Sequence, residues 1–580
     1  MPSYDNASIA TALDEFGDLL EIAGEDRYRF LSYRKAAHAI RAWDEDITTT
    51  ALGGRLTTIP GIGAKIAATI ESLLKTGEFP GMDEVTARVP GSVVELTRIP
   101  GLGPKKAKAL FDELAVTSID DLEAAIAGGR LDGLPGFGAR TVESLAEGIE
   151  RYRTFSARIL LADALPLAER LVEELRGIPG VVEAAYAGSI RRMKETVGDI
   201  DILVAADDRP AIMAAVRELP IVTEVIASGQ TKTSVMTTSG RQADVRVVEP
   251  ECWGAAWQYF TGSAEHNVHL REIAKSRGLK VSEYGVFAGD TGERRACATE
   301  ADVYEALGMA WITPEVRENI GEIELALEGR TPDLVLVGDI RGDLHSHTIA
   351  TDGRSTLEQN RARAHELGYE YLGCSDHAYQ LRMVGGLSMS DIEAQWERID
   401  ELNALDDDGP ILLKSIELNI DDDGGVDYPD EFLARFDYCI ASLHHGFSQS
   451  REQATRRLLV AMENRFVDIV GHPTGRLLGR REPFDLDMEA VIAKAAETGT
   501  ILELNAHPER LDLNDVHLRT ARKAGVRIAI DTDAHEAMQF GHIRWGIATA
   551  RRGWVAPSDV LNAQPLDVLR SWLKRNRKST

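Results

Sequence analysis

The chain has 580 residues, more than one hydrophobic core supports, and its hydrophobic fraction of 44% is that of folded domains rather than of disorder. No apolar run is long enough for a membrane span and the N-terminus MPSYDNASIA lacks the basic and apolar regions of a signal peptide, so a cytoplasmic chain is expected. The net charge of −28 requires any nucleic-acid contact to come from local donors, and the scattered Cys252, Cys297, Cys374 and Cys439 disfavour a disulfide framework or a cysteine zinc site.

The first section carries a repeated phrase: IPGIGAKIA from Ile59, IPGLGPKKA from Ile99 and LPGFGARTV from Leu134. Helical patterns such as KIAATIESLL and KAKALFDEL follow the turns. Pro-Gly-x-Gly makes a tight turn and leaves unpaired N–H groups at the start of the next helix, where phosphate is attracted. A cation follows in each copy. The candidate phosphate contacts are Gly61, Gly63 and Lys65; Gly101, Gly103 and Lys105, with Lys106 beside it; and Gly136, Gly138 and Arg140. The pattern resembles the helix-hairpin-helix motif, which implies a grip on DNA phosphates without sequence reading and a monovalent cation at the turns. Two of the repeats could instead serve only as packing units.

From about residue 156 strands alternate with helices, as in VVEAAYAGSI, DIDILVAA and RQADVRVVE. In GDIDILV, Asp199 and Asp201 stand two apart, so on a strand both project from one face and repel unless a divalent cation joins them. Asp244 in RQADVRV can face the same place. Upstream, AGSIRR supplies Gly188 and Ser189 as a phosphate-cradling turn, with Arg191 and Arg192 as cationic donors.

The G-S-x9-D-x-D spacing, YFTGS at residues 259–263 and the hairpin repeats together resemble family X DNA polymerases, the group of DNA polymerase beta, over residues 1 to about 325. The resemblance implies that Asp199, Asp201 and Asp244 are catalytic and hold two Mg²⁺ or Mn²⁺ ions. It implies that Gly188, Ser189, Arg192 and Gly198 hold the incoming triphosphate. Tyr259, Phe260 and Gly262 would line its sugar, and Asn267 and Arg271 would lie by the nascent base pair. Two positions depart from the family pattern. Thr69 stands where sugar-phosphate lyases of this group carry a Schiff-base lysine, and Ala264 stands where a base-contacting acid is common.

Past Pro332, apolar runs keep ending in ligand-type residues: LVLVGDIRGDLHSH, YEYLGCSDH, ILLKSIELN, FDYCIASLHH, FVDIVGH, TILELNAH and VRIAIDTDAH. Such runs suit a parallel barrel, which gathers the strand ends on one face. The candidate metal ligands are His345, His347, Asp352, His377, Glu417, His444, His472, Asp533 and His535. His445, Asp376, Asn505, His507 and Asp531 read as groups that orient them. Arg476, Arg480 and Arg481 read either as phosphate contacts or as a solvated basic loop. These segments resemble the polymerase and histidinol phosphatase (PHP) domain, which implies a distorted (β/α)7 barrel, up to three Mn²⁺ or Zn²⁺ ions and phosphoester hydrolysis.

The expected fold is multidomain α/β: helical hairpin domains at 1–85 and 86–155 (fingers), a nucleotidyltransferase palm at 156–253, a small thumb at 254–325, a linker at 326–335 and the PHP domain at 336–575. Polymerase and PHP domains in this order resemble the bacterial and archaeal family X polymerases. The resemblance implies short-gap filling in base excision repair and a 3′→5′ exonuclease. The expected partners are gapped or primer-template DNA and dNTPs, bound by a monomer.

Overall fold

The computed structural model describes residues 6–41, 43, 47–59, 61–76, 79–97, 99, 101–156 and 158–576, and the chain divides into two compact units, 1–157 with 479–482, and the remainder. The first unit is helical, with α1 (Asn6–Ile22), α2 (Arg27–Arg41), α3 (Ala64–Thr76), α4 (Pro104–Leu114) and α5 (Ala139–Ser156) as its longest elements. Buried apolar side chains from Ile9 to Ile149 form one continuous cluster. Each repeat forms a turn ahead of α3, α4 or α5. Its first glycine, Gly61, Gly101 or Gly136, has φ of +89°, +81° or +89°, a conformation that only glycine adopts without strain. The residue between the two glycines, Ile62, Leu102 or Phe137, is buried and pins the turn to the core, while both glycines stay exposed.

In the second unit, α6 (Leu161–Arg176) packs on a five-stranded mixed sheet. Its strands are β1 (Val181–Tyr186), β2 (Ile200–Ala206), β3 (Val222–Ser228), β4 (Lys232–Thr237) and β5 (Gln242–Val248), in the order β1-β2-β5-β4-β3. The one-turn helix α7 (Gly188–Arg191) lies between β1 and β2. Strands β2 and β5 are parallel neighbours in a register that pairs Asp201 with Asp244, so acids far apart in sequence share one sheet face. Next come α8 (Trp253–Thr261) and α9 (Ala264–Ser276), then the antiparallel strands β6 (Leu279–Ser282), β7 (Gly285–Ala288) and β8 (Arg294–Ala296), and α10 (Glu300–Ala306). A buried ionic knot fastens this region to α7. Glu300 accepts both Nη atoms of Arg191 at 2.7 Å and those of Arg317 at 2.7 and 3.2 Å, and the Arg191 guanidinium lies 3.4 Å from the Trp257 ring centroid.

The strands past residue 340 are β9 (Gly342–Asp343), β10 (Tyr371–Cys374), β11 (Ile411–Lys414), β12 (Glu417–Asn419), β13 (Ile440–Ser442), β14 (Ile469–Val470), β15 (Ile501–Asn505) and β16 (Ile528–Asp531), all parallel to their neighbours. They form a three-stranded and a five-stranded sheet, β9-β10-β11 and β12-β13-β14-β15-β16. The join is made where β11 breaks into β12 and the His377–Glu417 bridge carries pairing across; on the far side a parallel Ser346–Ala534 bridge closes the ring. With β11 and β12 taken as one broken strand, the ring is seven-stranded. Helices between the strands, among them α11 (Leu357–Glu366), α12 (Met389–Asn403), α13 (Arg451–Ala461), α14 (Met488–Thr498) and α15 (Asp515–Lys523), cover its outside; α16 (Ile543–Arg552) follows β16. Leu511 and Trp545 of the barrel are buried in the apolar cluster of the β1–β5 sheet.

Candidate active sites

The exposed turns carry exposed cations: Lys65, Lys105 and Arg140 all face solvent, and Lys106 Nζ donates to the Gly101 carbonyl at 2.9 Å. Thr69 is buried and its hydroxyl donates to the Lys65 carbonyl at 3.1 Å, so this position has neither an amine nor access to solvent.

Asp199, Asp201 and Asp244 each bring a carboxylate oxygen within 4.8 Å of the others. Asp199 is exposed at the strand entrance, Asp201 half-buried and Asp244 buried. Burial, with Asp199 and Asp244 as negative neighbours, pushes the Asp201 carboxyl up to about 6. Asp244 is held low in spite of its burial, by Lys232, Ser234 and Gln242; Lys232 Nζ lies 2.5 Å from Asp244 Oδ2. An ammonium thus already neutralises part of a triad whose members cannot comfortably ionise together. The oxygen-only donor set fits hard divalent ions such as Mg²⁺ or Mn²⁺.

Gly188 has φ of +58°, and a Cβ there would stand 2.3 Å from Asp201 Oδ2, so the phosphate-type turn and the carboxylates pack without room for a side chain. Ser189 lies half-buried in α7, and Gly198 is exposed beside Asp199. The two arginines of the turn part company. Arg191 is committed to the Glu300 knot and is not a free anion donor, whereas Arg192, in the next position, points to Glu318 and to the Thr261 carbonyl. Tyr259 and Phe260 end α8 half-buried, with Arg246 above the Phe260 ring, and Gly262 caps that helix at φ of +71°. Asn267 does not present a free amide: Nδ2 donates to the Tyr259 carbonyl at 2.7 Å and Oδ1 accepts from Gln258, so it buttresses the turn. Arg271 is exposed on α9.

At the carboxyl ends of the barrel strands the nine imidazole and carboxylate groups named from the sequence converge. Ligand atoms of His347, Asp352, His377 and His535 lie within 4.8 Å of one another, as do those of His345, His347 and Asp533, and of His377, Glu417 and His444. His347 and His377 are shared between groups. His472 joins through Nε2, 3.1 Å from Glu417 Oε1. His345 Nε2, His347 Nδ1, Asp352 Oδ1 and His472 Nδ1 are buried without a hydrogen-bond partner, and His377 Nδ1 faces Glu417 Oε2 at 2.8 Å. Buried polar atoms left this way are costly, and mixed nitrogen and oxygen donors aimed at shared points fit bound transition-metal ions. Burial and the neighbouring His535 and His377 press the His347 imidazole down to about 4, its neutral ligand form; burial opposes but Glu417 and Asp352 raise His377 to about 10. His472 and Asp533 have left-handed backbone, φ of +25° and +52°, which marks positions held against their own preference.

A second set of polar groups surrounds the cluster. Asn505 donates to Asp533 Oδ2 at 3.0 Å, and Asp376 accepts from Thr348, Thr351 and Gln395. Asp531 accepts the Leu344 N–H. His507 stacks edge-on against His542. His445 does not belong to this set: its side chain is half exposed and faces Asp422 and Arg457. Arg476 is partly exposed and already engaged elsewhere: it donates to Glu195 at 2.7 and 3.3 Å and to the Arg510 carbonyl. Sequence reasoning missed Glu503, fully buried at 2.6 Å from His345 Nδ1 and an acceptor for the His472 N–H. It also missed Asn419, whose Oδ1 lies 2.6 Å from His444 Nδ1. The signal was present: Glu-Leu-Asn occurs at 417–419 and again at 503–505, each time on a barrel strand.

Comparison with known proteins places these features in a family. The DNA polymerase beta thumb family matches residues 256–318, a helix-hairpin-helix domain matches 4–79, and a SAM-like helix-hairpin-helix tandem matches 93–151. The chain is 35% identical to the DNA polymerase/3′-5′ exonuclease PolX of Bacillus subtilis (strain 168), across 98% of this chain and 99% of that protein. It is 25% identical to DNA polymerase lambda of Rattus norvegicus over 54% of this chain and 56% of the other. A Thermoanaerobacter sp. (strain X514) protein named "Probable phosphatase" matches 41% of this chain at 27% identity over 95% of its own length. Among the described residues, no helix is long and apolar enough to cross a membrane.

Proposed function

The chain belongs to the PolX family of DNA polymerases, and on that premise we propose that it extends a DNA primer across short gaps at the acidic triad and removes nucleotides from 3′ ends at the barrel cluster. The observation that carries this reading is the presence in one chain of an all-carboxylate cluster beside a glycine-serine turn and of a separate imidazole-rich cluster at a barrel mouth. The two halves serve one repair substrate, the first adding what the second trims.

In the polymerase half, Asp199, Asp201 and Asp244 hold two divalent ions. When bound, these ions neutralise charge on the attacking and leaving oxygens of an in-line phosphoryl transfer. Gly188, Ser189, Gly198 and Arg192 take the triphosphate, Tyr259, Phe260 and Gly262 line the sugar, and Arg271 lies near the new base pair with Asn267 supporting that turn. The hairpins at Gly61, Gly63 and Lys65, Gly101, Gly103 and Lys105, and Gly136, Gly138 and Arg140 hold the DNA backbone, with a monovalent cation at their turns. In the barrel, His345, His347, Asp352, His377, Glu417, His444, His472, Asp533 and His535 hold up to three Mn²⁺ or Zn²⁺ ions. Glu503 and Asn419 fix the tautomers of His345 and His444, so that the nitrogen aimed at the cluster carries the lone pair. Thr69 gives no imine, and 5′-sugar-phosphate lyase activity is not part of the proposal.

A gapped duplex with a labelled primer and a 5′-phosphate, incubated in Mg²⁺ or Mn²⁺ with and without dNTPs, tests the assignment. His345→Ala is expected to stop degradation and keep extension, and Asp199→Ala to do the reverse. Loss of both activities in either folded variant, or of neither, would reject the division of labour.

A further inference from the structure

Three charged side chains from distant parts of the second unit meet beside the nucleotide turn. Arg192 follows α7, Glu318 follows the helical turn Pro314–Val316, and Arg552 ends α16 of the barrel. Glu318 Oε1 accepts from Arg192 Nε at 3.1 Å and from Arg552 Nη1 at 3.1 Å, with Lys194 Nζ 3.7 Å away. Arg552 Nη1 also donates to the Arg192 carbonyl at 2.7 Å and to the Glu315 carbonyl at 3.3 Å, while Nη2 donates to Asp515 at 2.7 Å. All three side chains are largely buried. The guanidinium assigned to the triphosphate is therefore already held by a carboxylate, and that carboxylate is shared with the hydrolytic domain.

Arg192 spends Nε on Glu318 and Nη1 on the Thr261 carbonyl, so a triphosphate bound there competes with Glu318 for the charge of one guanidinium. Were Glu318 then left without a cation, a largely buried carboxylate would stand uncompensated, which is strongly unfavourable. Arg552 is placed to prevent this: Asp515 holds its Nη2, and its bond to Glu318 does not pass through the Arg192 side chain. Burial raises the Glu318 carboxyl, yet Arg552 first, then Arg192 and Lys194, hold it below its ordinary value.

We propose that Arg552 of the barrel is a positioning residue for nucleotide binding at the polymerase site, acting through Glu318 to let Arg192 exchange a carboxylate for the triphosphate. The inference rests on the reading of Arg192 as a triphosphate ligand. It means that the hydrolytic domain sets the nucleotide affinity of the polymerase by an electrostatic contact, without lending it a catalytic group.

The test measures dNTP affinity in full-length protein on gapped DNA, with a primer ending in a phosphorothioate-linked dideoxynucleotide so that neither activity proceeds. Glu318→Gln should tighten binding severalfold by releasing Arg192, a change that a merely structural role would not produce. Arg552→Gln should weaken binding about fivefold alone and less than about twofold in the Glu318→Gln background, as expected of residues that act through one another. Arg552→Lys, which keeps a cation beside Glu318, should restore most of the affinity, and thermal unfolding midpoints establish that the variants are folded. Unchanged or weaker binding in Glu318→Gln, or an equal effect of Arg552→Gln in both backgrounds, would overturn the inference while leaving the role of Arg192 intact. Unchanged binding in Arg192→Ala would remove the underlying reading and the inference with it.

Discussion

Glu503 and Glu300 are both buried carboxylates, and they do different work. Glu503 lies against the far nitrogen of His345 and the N–H of His472, so it orders two groups of the barrel cluster without facing the shared points itself. Carboxylates in that position typically tune metal affinity or activity by roughly 10- to 100-fold. Glu503→Gln is accordingly expected to lower 3′-end degradation by a factor in that range and to shift its Mn²⁺ dependence to higher concentration, with primer extension unchanged; equal degradation at every Mn²⁺ concentration would refute the role. Glu300, by contrast, is structural. It stands between the buried Arg191 and Arg317. Burial alone would raise its carboxyl, but Arg317 and Arg191 outweigh that and bring it down to about 2 from an ordinary 4.5. A carboxyl depressed on folding stabilises the native state fully above its unfolded value, and the contribution drains away as pH falls from about 4.5 toward 2. The shift corresponds to about 3 kcal/mol at neutral pH. Urea unfolding of Glu300→Gln should show a loss of roughly that size or more at pH 7, since two buried guanidiniums lose their counter-charge. Below pH 4.5 the gap between variant and wild type should narrow.

The turn that opens α7 sets the relation between the proposed triphosphate cradle and the acidic triad. Because a Cβ at Gly188 would meet Asp201 Oδ2 at 2.3 Å, with φ already in the left-handed region, Gly188→Ala must push the turn or the carboxylate aside. Misplacement of a catalytic group by about 1 Å costs on the order of 100-fold in rate. Extension by Gly188→Ala should fall by about that factor while degradation persists; extension at the wild-type rate would show that the two groups need not touch. This element also shows what the sequence makes legible. Period-two alternation places Asp199, Asp201 and Asp244 because a strand's two faces are fixed by parity. Most of the proposed barrel ligands are legible because they end apolar runs, and parallel strands bring such ends together. Arg191 and Arg192 were not separable in this way. One residue of helix turns the side chain by about 100°, and which of two neighbours enters the core depends on Trp257 and Glu300, far along the chain. Glu503 was hidden for the opposite reason: it lies inside the apolar run, on a strand buried along its whole length, where parity gives no contrast.

Contacts between distant parts of the chain leave no local trace in sequence, and the join between sheet and barrel is of this kind. Leu511 and Trp545 of the barrel are buried in the core of the β1–β5 sheet, and Arg476, Arg551 and Arg552 pair with Glu195, Glu315 and Glu318. Full burial of a large apolar side chain is worth about 1.5–3 kcal/mol, so these two alone contribute several kcal/mol against a total domain stability of roughly 5–15 kcal/mol. Removing the barrel would expose the apolar floor that they cover and strand three acids whose partners lie beyond the cut. A fragment of residues 1–334 is therefore expected to unfold well below the full-length chain, by about 10 °C on the scale at which 1 kcal/mol moves a domain of this size by 2–4 °C. Trp545→Ala in the full chain should lower stability by about 3–5 kcal/mol, the usual consequence of emptying an aromatic site in a core. Both are read by calorimetry or tryptophan fluorescence on heating. A fragment that melts with the full-length chain, together with a silent Trp545→Ala, would mean that the two halves fold independently, and that the barrel is carried by the polymerase rather than built into it.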